Sequence, residues 1–463
     1  MQDIDLLVIN ATIITMDNKR RILKEHGIAI QDDTIIEISS SDVLIKKYES
    51  IKVIDAKGKY IFPGMINTHN HMFQVLFKGI GKEKALIKWL EEAIQKPYFN
   101  ITVEDIYLAT TVSCIEQIKS GVTTVVDYQY AHGQPFLNDA VCQAMEDLGI
   151  RGVLARGYTK SSGFPKYTGK EIIETEDDFF KDVRRLHEKY KDNPTIDIAL
   201  APGIIWVMSE DGFRKCAKIA KELDTFNTIH TLETEEDNEY SMAEHGMSTI
   251  DFYEKTGILS AKFLAVHCAQ INADEIKKFK KYDVKVSYNA ISNMLIGYKT
   301  LPVKDLLKEG ITVGIATDGA ASNDNQNMME VLKVSTLWQK AYYRDPSVIP
   351  ALKVLEMATI DGAEAIFKQD KIGSLEVGKK ADFFIFNHLK CNTAPLYDPI
   401  VSIVLSADEN NVETSVVGGK VVMENYKIAG IDEDELYEKI QSAAEALWAR
   451  SNIERLTKTE VQL

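Results

Sequence analysis

Two histidines that lie two residues apart, His69 and His71, are the first residues of this chain whose type and spacing point to chemistry. They follow an apolar run at residues 60–66 that is typical of a buried strand. Side chains on a strand alternate between its two faces, so both imidazoles point the same way. Two imidazoles on one face at the end of a strand form half of a metal site. An isolated pair of this kind is also compatible with a turn, so the interpretation depends on the rest of the chain.

Three further strand-like segments end in side chains of the same chemical kind. His230 and Glu233 follow one of them, His267 ends the next, and Asp318 follows the last. Three neutral imidazoles and one carboxylate form a reasonable ligand set for Zn²⁺ or Fe²⁺, with a position left for water. We therefore expect one divalent metal per chain, Zn²⁺ in preference to Fe²⁺. The expected ligands are His69, His71, His230 and Asp318.

Glu233, His267 and Asp318 are the expected catalytic residues. A carboxylate beside an activated water is a natural proton shuttle, which is the role expected of Glu233. His267 would hydrogen-bond that water or the substrate, and Asp318 would accept a proton from the water. Each residue also has a structural interpretation. His267 fits an ordinary buried histidine, and Asp318 fits a turn with Gly319. Glu233 fits an acidic, solvated loop that continues through Glu235, Glu236 and Asp237.

The elements that must position these residues repeat in the order strand, loop, helix after residue 60. Longer amphipathic segments separate short apolar runs that lack alternation, as expected for parallel strands covered on both faces. This pattern predicts an α/β fold, a TIM (β/α)₈ barrel whose chemistry lies at the carboxyl ends of its strands. The eight runs lie near residues 61–69, 123–128, 151–156, 197–202, 226–230, 263–268, 284–289 and 311–317.

Short strands separated by turn residues occupy both ends of the chain. We expect residues 1–58 and 372–430 to build one small β-sandwich domain beside a barrel of residues 59–371. Residues 431–463 are expected to form a C-terminal helix. The fourth barrel run ends in Pro202 and Gly203 and offers no lysine or acid that could bridge two metals. This absence favours a single metal.

The composition excludes several classes of partner. The formal net charge of the 463 residues is −15, which argues against nucleic acid and anionic membranes, because both need a basic surface. No apolar stretch approaches the roughly 20 residues that span a bilayer. The five cysteines lack paired spacing, which fits a reduced, cytoplasmic protein. The expected partners are a small heterocyclic substrate and water.

Taken together, these residues resemble the amidohydrolase superfamily. Within it the chain is similar to the branch of atrazine chlorohydrolases, guanine and 8-oxoguanine deaminases and adenosine-type deaminases. The resemblance implies the metal and shuttle roles argued above, and family members commonly form dimers or larger assemblies, so a homo-oligomer is expected. The matching segments are residues 63–71, 230–234, 265–268, 292–294, 317–324 and, in the sandwich domain, 373–382.

The resemblance also implies four substrate contacts. Gln74 stands where 8-oxoguanine and hydroxytriazine deaminases read a ring edge, since an amide can donate and accept at once. Arg156, at the end of the third run, matches a substrate-facing arginine. Tyr288 and Asn289 depart from the His-Cys-Pro of many relatives and are expected to line a pocket of different shape.

Two departures argue against a nucleoside substrate. Tyr98 falls near the position of a glutamate that holds ribose in adenosine-type members, and Gly203 replaces a histidine found in them. The expected activity is a hydrolytic deamination of a purine, pterin, pyrimidine or triazine-like ring with release of ammonia. The alternatives are the same attack with another leaving group, in a chlorohydrolase, alkylaminohydrolase or cyclic amidase, and a barrel that lost catalysis and serves only to bind.

Overall fold

The structure is a computed structural model that describes residues 1–159 and 174–454, including all of their side chains except those of residues 92 and 96. The chain begins with five strands that belong to a mixed sheet. In β1 one apolar cluster takes Leu6 and Val8 and then Ala11 and Ile13, because register shifts after Val8 move the inward-facing positions from even to odd numbers. These strands are β1 (Gln2–Ile14), β2 (Ile22–Gln31), β3 (Thr34–Ser40), β4 (Tyr48–Asp55) and β5 (Tyr60–Pro63).

Eight parallel strands follow and pair in chain order, each with the next. The first and last strands approach each other as well, because Asp318 N–H donates to the His69 carbonyl at 3.2 Å. The predicted barrel with its separate end sheet is confirmed. The barrel strands are β6 (Met65–Asn70), β7 (Val122–Gln129), β8 (Arg151–Gly157), β9 (Ile196–Ala201), β10 (Asn227–Thr231), β11 (Phe263–His267), β12 (Lys285–Tyr288) and β13 (Val313–Ile315).

The sequence treats residues 61–69 as one strand, but the structure divides them at Gly64. β5 pairs with β1 in the end sheet, and only β6 belongs to the barrel. A side chain at Gly64 would collide with Thr123, since a Cβ there would lie 1.9 Å from its Oγ1. A glycine is therefore required where the chain passes from one sheet to the other.

Four C-terminal strands complete the end sheet, and β14 pairs with β5. A buried ion pair also ties this sheet to the barrel, because Arg151 donates to both oxygens of Asp382 at 2.8 and 3.1 Å. The predicted limits of the two domains stay a prediction. The strands are β14 (Phe383–Phe386), β15 (Val412–Val417), β16 (Lys420–Glu424) and β17 (Lys427–Ile428).

Helices cover the outside of the barrel, and several begin at side-chain caps. At Thr102, Thr175 and Asn272 the side chain accepts a hydrogen bond from the backbone N–H three residues on. The acidic side chain of that later residue accepts in turn from the backbone N–H of the capping residue. No described helix is both long and apolar enough to cross a membrane. The helices are α1 (Ser41–Lys47), α2 (Leu86–Trp89), α3 (Gln95–Tyr98), α4 (Val103–Lys119), α5 (Leu137–Leu148), α6 (Glu176–Tyr190), α7 (Glu210–Glu222), α8 (Glu235–His245), α9 (Thr249–Thr256), α10 (Ala273–Tyr282), α11 (Ala290–Leu295), α12 (Val303–Lys308), α13 (Ala320–Asn323), α14 (Met328–Tyr343), α15 (Ala351–Ala358), α16 (Ile360–Ala365), α17 (Pro399–Leu405) and α18 (Glu433–Arg450).

Candidate active site

Three histidines meet at the carboxyl ends of the barrel strands. The ligand nitrogens of His69, His71 and His230 all lie within 4.8 Å of one another. Asp318 completes the group, since its Oδ1 lies 3.3 Å from His69 Nε2 and 3.4 Å from His71 Nε2. The structure thus brings together all four ligands that the sequence suggests. Three ring nitrogens and one carboxylate oxygen converge as they do around a tetrahedral divalent metal.

The backbone turns sharply where these side chains leave the strands. Leu232, His267 and Asp318 have φ values of 49°, 70° and 61°. This left-handed region is uncommon for residues other than glycine, and such conformations collect at functional sites where the surroundings hold them. No pattern in the sequence signals them. These conformations redirect the chain at the ends of β10, β11 and β13, where the site residues lie.

The hydrogen bonds of the histidines fit a metal. His71 Nδ1 lies 2.7 Å from the Tyr128 carbonyl and must donate to it, which leaves the Nε2 lone pair facing the cluster. His230 Nε2 faces that same nitrogen at 3.2 Å. Apart from Asp318 Oδ1, which lies 3.3 Å from Nε2, the ring nitrogens of the fully buried His69 have no hydrogen-bond partner among the described residues. A buried imidazole without a partner is costly, and a bound cation removes that cost.

Burial keeps these imidazoles neutral, which is the form that binds metal. It lowers the pKa of His69 to about 3, even though the hydrogen bond to Asp318 acts in the opposite direction. Burial likewise lowers the pKa of His71, and that of His230 well below the ordinary histidine value. The Asp318 carboxyl behaves differently. Burial alone would raise its pKa, but the His69 hydrogen bond and the nearby imidazoles hold it well below its usual range.

Two hydroxyls and a backbone amide orient the Asp318 carboxylate. Ser292 Oγ donates to Oδ2 at 2.5 Å and Ser322 Oγ donates to the same oxygen at 3.0 Å. The Gly319 N–H donates to Oδ1 at 2.8 Å. The two serines escape sequence reasoning as site residues, although both lie within segments that carry the family resemblance.

Glu233 and His267 lie beside this cluster. His267 Nε2 is 3.7 Å from Glu233 Oε2, and both residues are buried. Burial, followed by the charges of Asp318 and Asp237, raises the pKa of Glu233 well above its ordinary value. Burial also lowers the pKa of His267 to about 4. The pKa of Asp318 is thus lowered while that of Glu233 is raised, the directions found in pairs of a general base and a general acid.

Asp237 is a buried acid that sequence reasoning placed in a solvated loop. Its neighbours Glu235 and Glu236 are exposed, but Asp237 is fully buried and accepts the Glu233 N–H at 2.9 Å. Burial raises the pKa of Asp237 to about 8. The residue therefore fixes the backbone of Glu233.

A cleft of about 1050 Å³ opens above the cluster. His71, His230, Glu233, His267 and Asp318 form its floor. Apolar and aromatic side chains dominate the described walls. They include Leu86, Trp89, Leu90, Ile94, Tyr98, Phe99, Tyr130, Tyr158, Ile204, Trp206, Val207 and Ile296.

Of the four predicted substrate contacts, only Gln74 belongs to the described lining of the cleft. Arg156 does not belong to the described lining, because its guanidinium donates to Glu174 at 2.7 Å and to Asp182 at 3.0 Å behind the strand ends. Tyr288 is fully buried with its hydroxyl beside Thr300 and Gln339. Asn289 is fully buried as well and donates to the Ser287 carbonyl at 3.2 Å, so neither faces the described cleft.

A β/α barrel with three histidines and an aspartate at its mouth defines a metal-dependent hydrolase, in which a divalent metal serves the reaction at an open cleft. The model of the amidohydrolase family matches residues 60–422. The chain belongs to this family, and the predicted resemblance is confirmed.

Two curated relatives cover almost the whole chain. A 5-methylthioadenosine/S-adenosylhomocysteine deaminase of Acetivibrio thermocellus is 32% identical over 445 residues, 95% of this chain and 99% of its own length. A 5'-deoxyadenosine deaminase of Methanosarcina acetivorans is 33% identical over 450 residues, 97% of this chain and 99% of its own. They confirm the predicted class, a hydrolytic deaminase. Both names describe adenosine derivatives, so the expectation against a nucleoside receives no support from them.

Solved structures confirm the fold. A zinc-bound adenosine deaminase from Xanthomonas campestris superposes with a TM-score of 0.90 at 22% identity, over 97% of this chain and 99% of that one. A zinc complex of atrazine chlorohydrolase from Arthrobacter aurescens TC1 gives 0.87 at 24% identity, over 95% and 100%. The cytoplasmic location and the homo-oligomer stay predictions.

Proposed function

We propose that this chain hydrolyses an amino group from a nitrogen heterocycle, leaving a ring carbonyl and releasing ammonia, with one Zn²⁺ per chain. His69, His71, His230 and Asp318 would hold the metal. When bound there, a divalent metal lowers the pKa of a water molecule and so supplies a nucleophile at neutral pH. A single metal is supported at the end of β9, where Gly203 occupies the bridging position. The Tyr128 hydroxyl donates to the Gly203 carbonyl at 2.8 Å, so a tyrosine side chain lies at the point where a ligand bridging two metals would be needed.

One observation carries the proposal: three imidazole nitrogens and the Asp318 carboxylate converge at the floor of the cleft, with the buried Glu233 and His267 beside them. Asp318, held ionised, accepts a proton from the attacking water. Glu233, whose pKa is raised, gives its proton to the ring nitrogen beside the attacked carbon. The proton on Asp318 then passes to the amino group, Glu233 takes back the proton of the new C–OH group, and ammonia leaves as the ring carbonyl forms. His267, neutral because its pKa is low, hydrogen-bonds the water or the substrate. These steps need positioning and proton transfer, with no covalent enzyme intermediate.

We further propose that the ring carries an apolar substituent. The described walls hold many aromatic and aliphatic side chains, which favour apolar groups over a charged amino-acid tail. Tyr98, at the position expected to meet a ribose, uses its hydroxyl on the Tyr130 carbonyl at 2.7 Å. A compound such as 5'-methylthioadenosine fits these walls better than adenosine or S-adenosylhomocysteine.

The test is release of ammonia by the zinc-loaded protein from a panel of compounds. The panel contains 5'-methylthioadenosine, 5'-deoxyadenosine, S-adenosylhomocysteine, adenosine, 8-oxoguanine, a 2-aminopterin, melamine and the chlorinated, alkylamino-substituted triazine atrazine. Ammonia from at least one compound, lost on chelation and restored by Zn²⁺, is the expected result. Chloride or alkylamine release from triazines without any ammonia would favour the other leaving groups. A metal-loaded protein that converts nothing would favour the binding barrel.

A further inference from the structure

A directed pair of hydrogen bonds runs into the cleft from α13. The Ala321 N–H donates to Gln74 Oε1 at 3.2 Å, and Gln74 Nε2 donates to the Tyr130 hydroxyl oxygen at 2.9 Å. A backbone N–H requires an acceptor, so the amide oxygen must face Ala321 and the NH₂ group must face Tyr130. The amide orientation of Gln74 is therefore fixed by its surroundings.

The backbone at Gly319 approaches the Gln74 amide closely. A Cβ at Gly319 would lie 1.9 Å from Gln74 Oε1, so only glycine lets the amide reach Ala321. Gln74 itself is 1% exposed and lies in the short helical segment Met72–Phe77 that follows His71. The segment that provides the metal ligand His71 therefore also positions this amide.

The fixed amide determines what Tyr130 can do. An amide NH₂ group has no lone pair to offer, so the Tyr130 oxygen accepts from it and the phenolic proton remains to be donated. A phenol with an ordinary pKa near 10 keeps that proton at neutral pH. Among residues 1–159 and 174–454, the structure gives this proton no acceptor. Tyr130 lines the cleft, so the open direction of the hydroxyl is the cleft itself.

The Tyr130 ring stands beside the metal cluster and is held at both ends. Its centroid lies 4.9 Å from that of His71 and 4.9 Å from that of Phe73. Its backbone carbonyl accepts from the Tyr98 hydroxyl at 2.7 Å and from Thr159 Oγ1 at 2.8 Å. A donor fixed this well next to the reacting centre has the position of a specificity residue.

We propose that Tyr130 recognises the substrate by donating its hydroxyl proton to an acceptor of the ring, a ring nitrogen or a carbonyl oxygen, and that Gln74 is a positioning residue that sets the direction of this hydrogen bond. The inference rests on the proposed function and deepens it. It also corrects the sequence-based view of Gln74, in which the amide itself reads the ring. The pair selects rings that offer an acceptor and disfavours rings that offer a donor at the same point.

Removal of the single hydroxyl oxygen is the first test. Affinities are measured in zinc-loaded protein that carries Glu233→Gln, so that the ligand is not converted during the titration. In this background Tyr130→Phe should bind 5'-methylthioadenosine with a dissociation constant about tenfold higher, because a buried ring acceptor loses its partner. The zinc content should not change. Tyr107→Phe is the matched control, since it removes the same atom from a surface hydrogen bond to Asp147 and should leave the affinity unchanged. Equal affinities with and without Tyr130→Phe would overturn the proposal.

Reversal of the hydrogen-bond direction is the sharper test. In Gln74→Glu, one carboxylate oxygen still accepts from Ala321 and the other accepts the Tyr130 proton, so Tyr130 presents lone pairs to the ligand. The affinity should fall by at least about tenfold. Adding Tyr130→Phe should then change it by less than about twofold, because the two residues act as one unit. Equal losses from Gln74→Glu with and without the Tyr130 hydroxyl would mean that Gln74 reads the ring directly and would overturn the proposal. Gln74→Met, which adds no charge, should give a smaller loss than Gln74→Glu.

Binding and turnover separate the two proposals. Sensitivity of 5'-methylthioadenosine binding to Tyr130→Phe without ammonia release would contradict the proposed function alone. Ammonia release with affinities and kcat/KM unchanged in Tyr130→Phe would contradict the role of Tyr130 alone. The same titration is made with 8-oxoguanine, and a protein that neither binds nor converts either compound contradicts both.

Discussion

The two ends of the cleft are built from different parts of the fold. At the metal end, the polar side chains come from the carboxyl ends of the barrel strands β6, β10, β11 and β13. At the other end, the walls come from connecting segments, mainly residues 86–99 and 203–207. Parallel ladders fix strand ends on both sides, for example through the pairing of His230 with Val266. Connecting segments tolerate changes in length and composition.

This difference separates chemistry from substrate choice. The metal end places buried acids and imidazoles within a few ångströms of one another, so a small displacement there changes pKa values and ligand geometry. The far end is largely apolar, and its contacts are non-directional. We therefore expect changes at the metal end to alter the metal content and kcat, and changes at the far end to alter which compound binds.

Loss of a metal ligand should have the largest effect. In His230→Ala the remaining ligands no longer surround the metal, so bound zinc and ammonia release should both fall below detection. Metal content by elemental analysis and turnover are measured on the same sample. His26→Ala, which changes a histidine of the end sheet, is the control and should retain both. A fully active His230→Ala protein would show that turnover does not depend on this ligand at the metal end.

Glu233→Gln should have the next largest effect. The amide keeps the shape but cannot transfer a proton, so kcat should fall by about 10²–10⁴-fold with the metal content unchanged. Steady-state kinetics with the best compound of the panel provide the measurement. Glu235→Gln, two residues on and exposed, serves as the control. Near-normal turnover in Glu233→Gln would rule out the shuttle.

The metal end could be predicted because its signal lies in single residues at strand ends. Histidine and acid side chains are rare in buried apolar runs, so His69, His230 and Asp318 stand out where each run stops. The fold could be predicted for the same reason, since eight apolar runs without alternation require a covered parallel sheet. The split of the first run at Gly64 was missed, because a change of sheet leaves the apolar pattern intact.

The far end could not be predicted in the same way. Whether Arg156 faces substrate or a buried acid depends on where Glu174 and Asp182 fall in space, and no spacing in the sequence encodes that. The direction of the Gln74 amide depends on Ala321, which lies 247 residues away. Asp237 was placed in solvent because its neighbours are charged, although the helix that begins at Glu235 turns it inward.

The hydroxyls that hold Asp318 should have an intermediate effect. Ser292→Ala frees the Oδ2 oxygen from its shortest bond, so metal affinity should fall by about 10–100-fold. Competition with a chelator of known affinity measures this directly. Ser347→Ala, on an exposed turn, should leave it unchanged. If Ser292→Ala and Ser322→Ala together leave the affinity unchanged, the carboxylate is held by the Gly319 amide alone.

A change at the far end should alter selection more than rate. Ile204→Ala shortens a partly exposed wall residue, so the fold should be retained while KM for 5'-methylthioadenosine rises about tenfold, which corresponds to about 1.4 kcal/mol of lost contact. The kcat for 5'-methylthioadenosine should stay unchanged, and so should the KM for melamine, a ring without such a substituent. Equal changes for both compounds would mean that the wall does not meet the substituent.

Arg156 should have the smallest effect on turnover and a large effect on stability. Arg156→Met leaves Glu174 buried without its cation, which should lower the free energy of unfolding by about 3–5 kcal/mol, while kcat/KM of the folded protein stays unchanged. Urea unfolding and steady-state kinetics make the two measurements. A large loss of kcat/KM with unchanged stability would indicate that Arg156 contacts the substrate after all.

The pH dependence of that loss identifies its cause. Burial raises the pKa of Glu174, and the Arg156 guanidinium opposes the rise, so removing the arginine should raise this pKa further. A carboxyl whose folded pKa lies above its unfolded pKa favours folding at low pH, and this contribution is lost as the pH rises through the folded pKa. The stability deficit of Arg156→Met should therefore grow as the pH rises above the ordinary range of a glutamate carboxyl. Glu174→Gln added to Arg156→Met should restore stability and remove the pH dependence, since no buried carboxylate then lacks its partner.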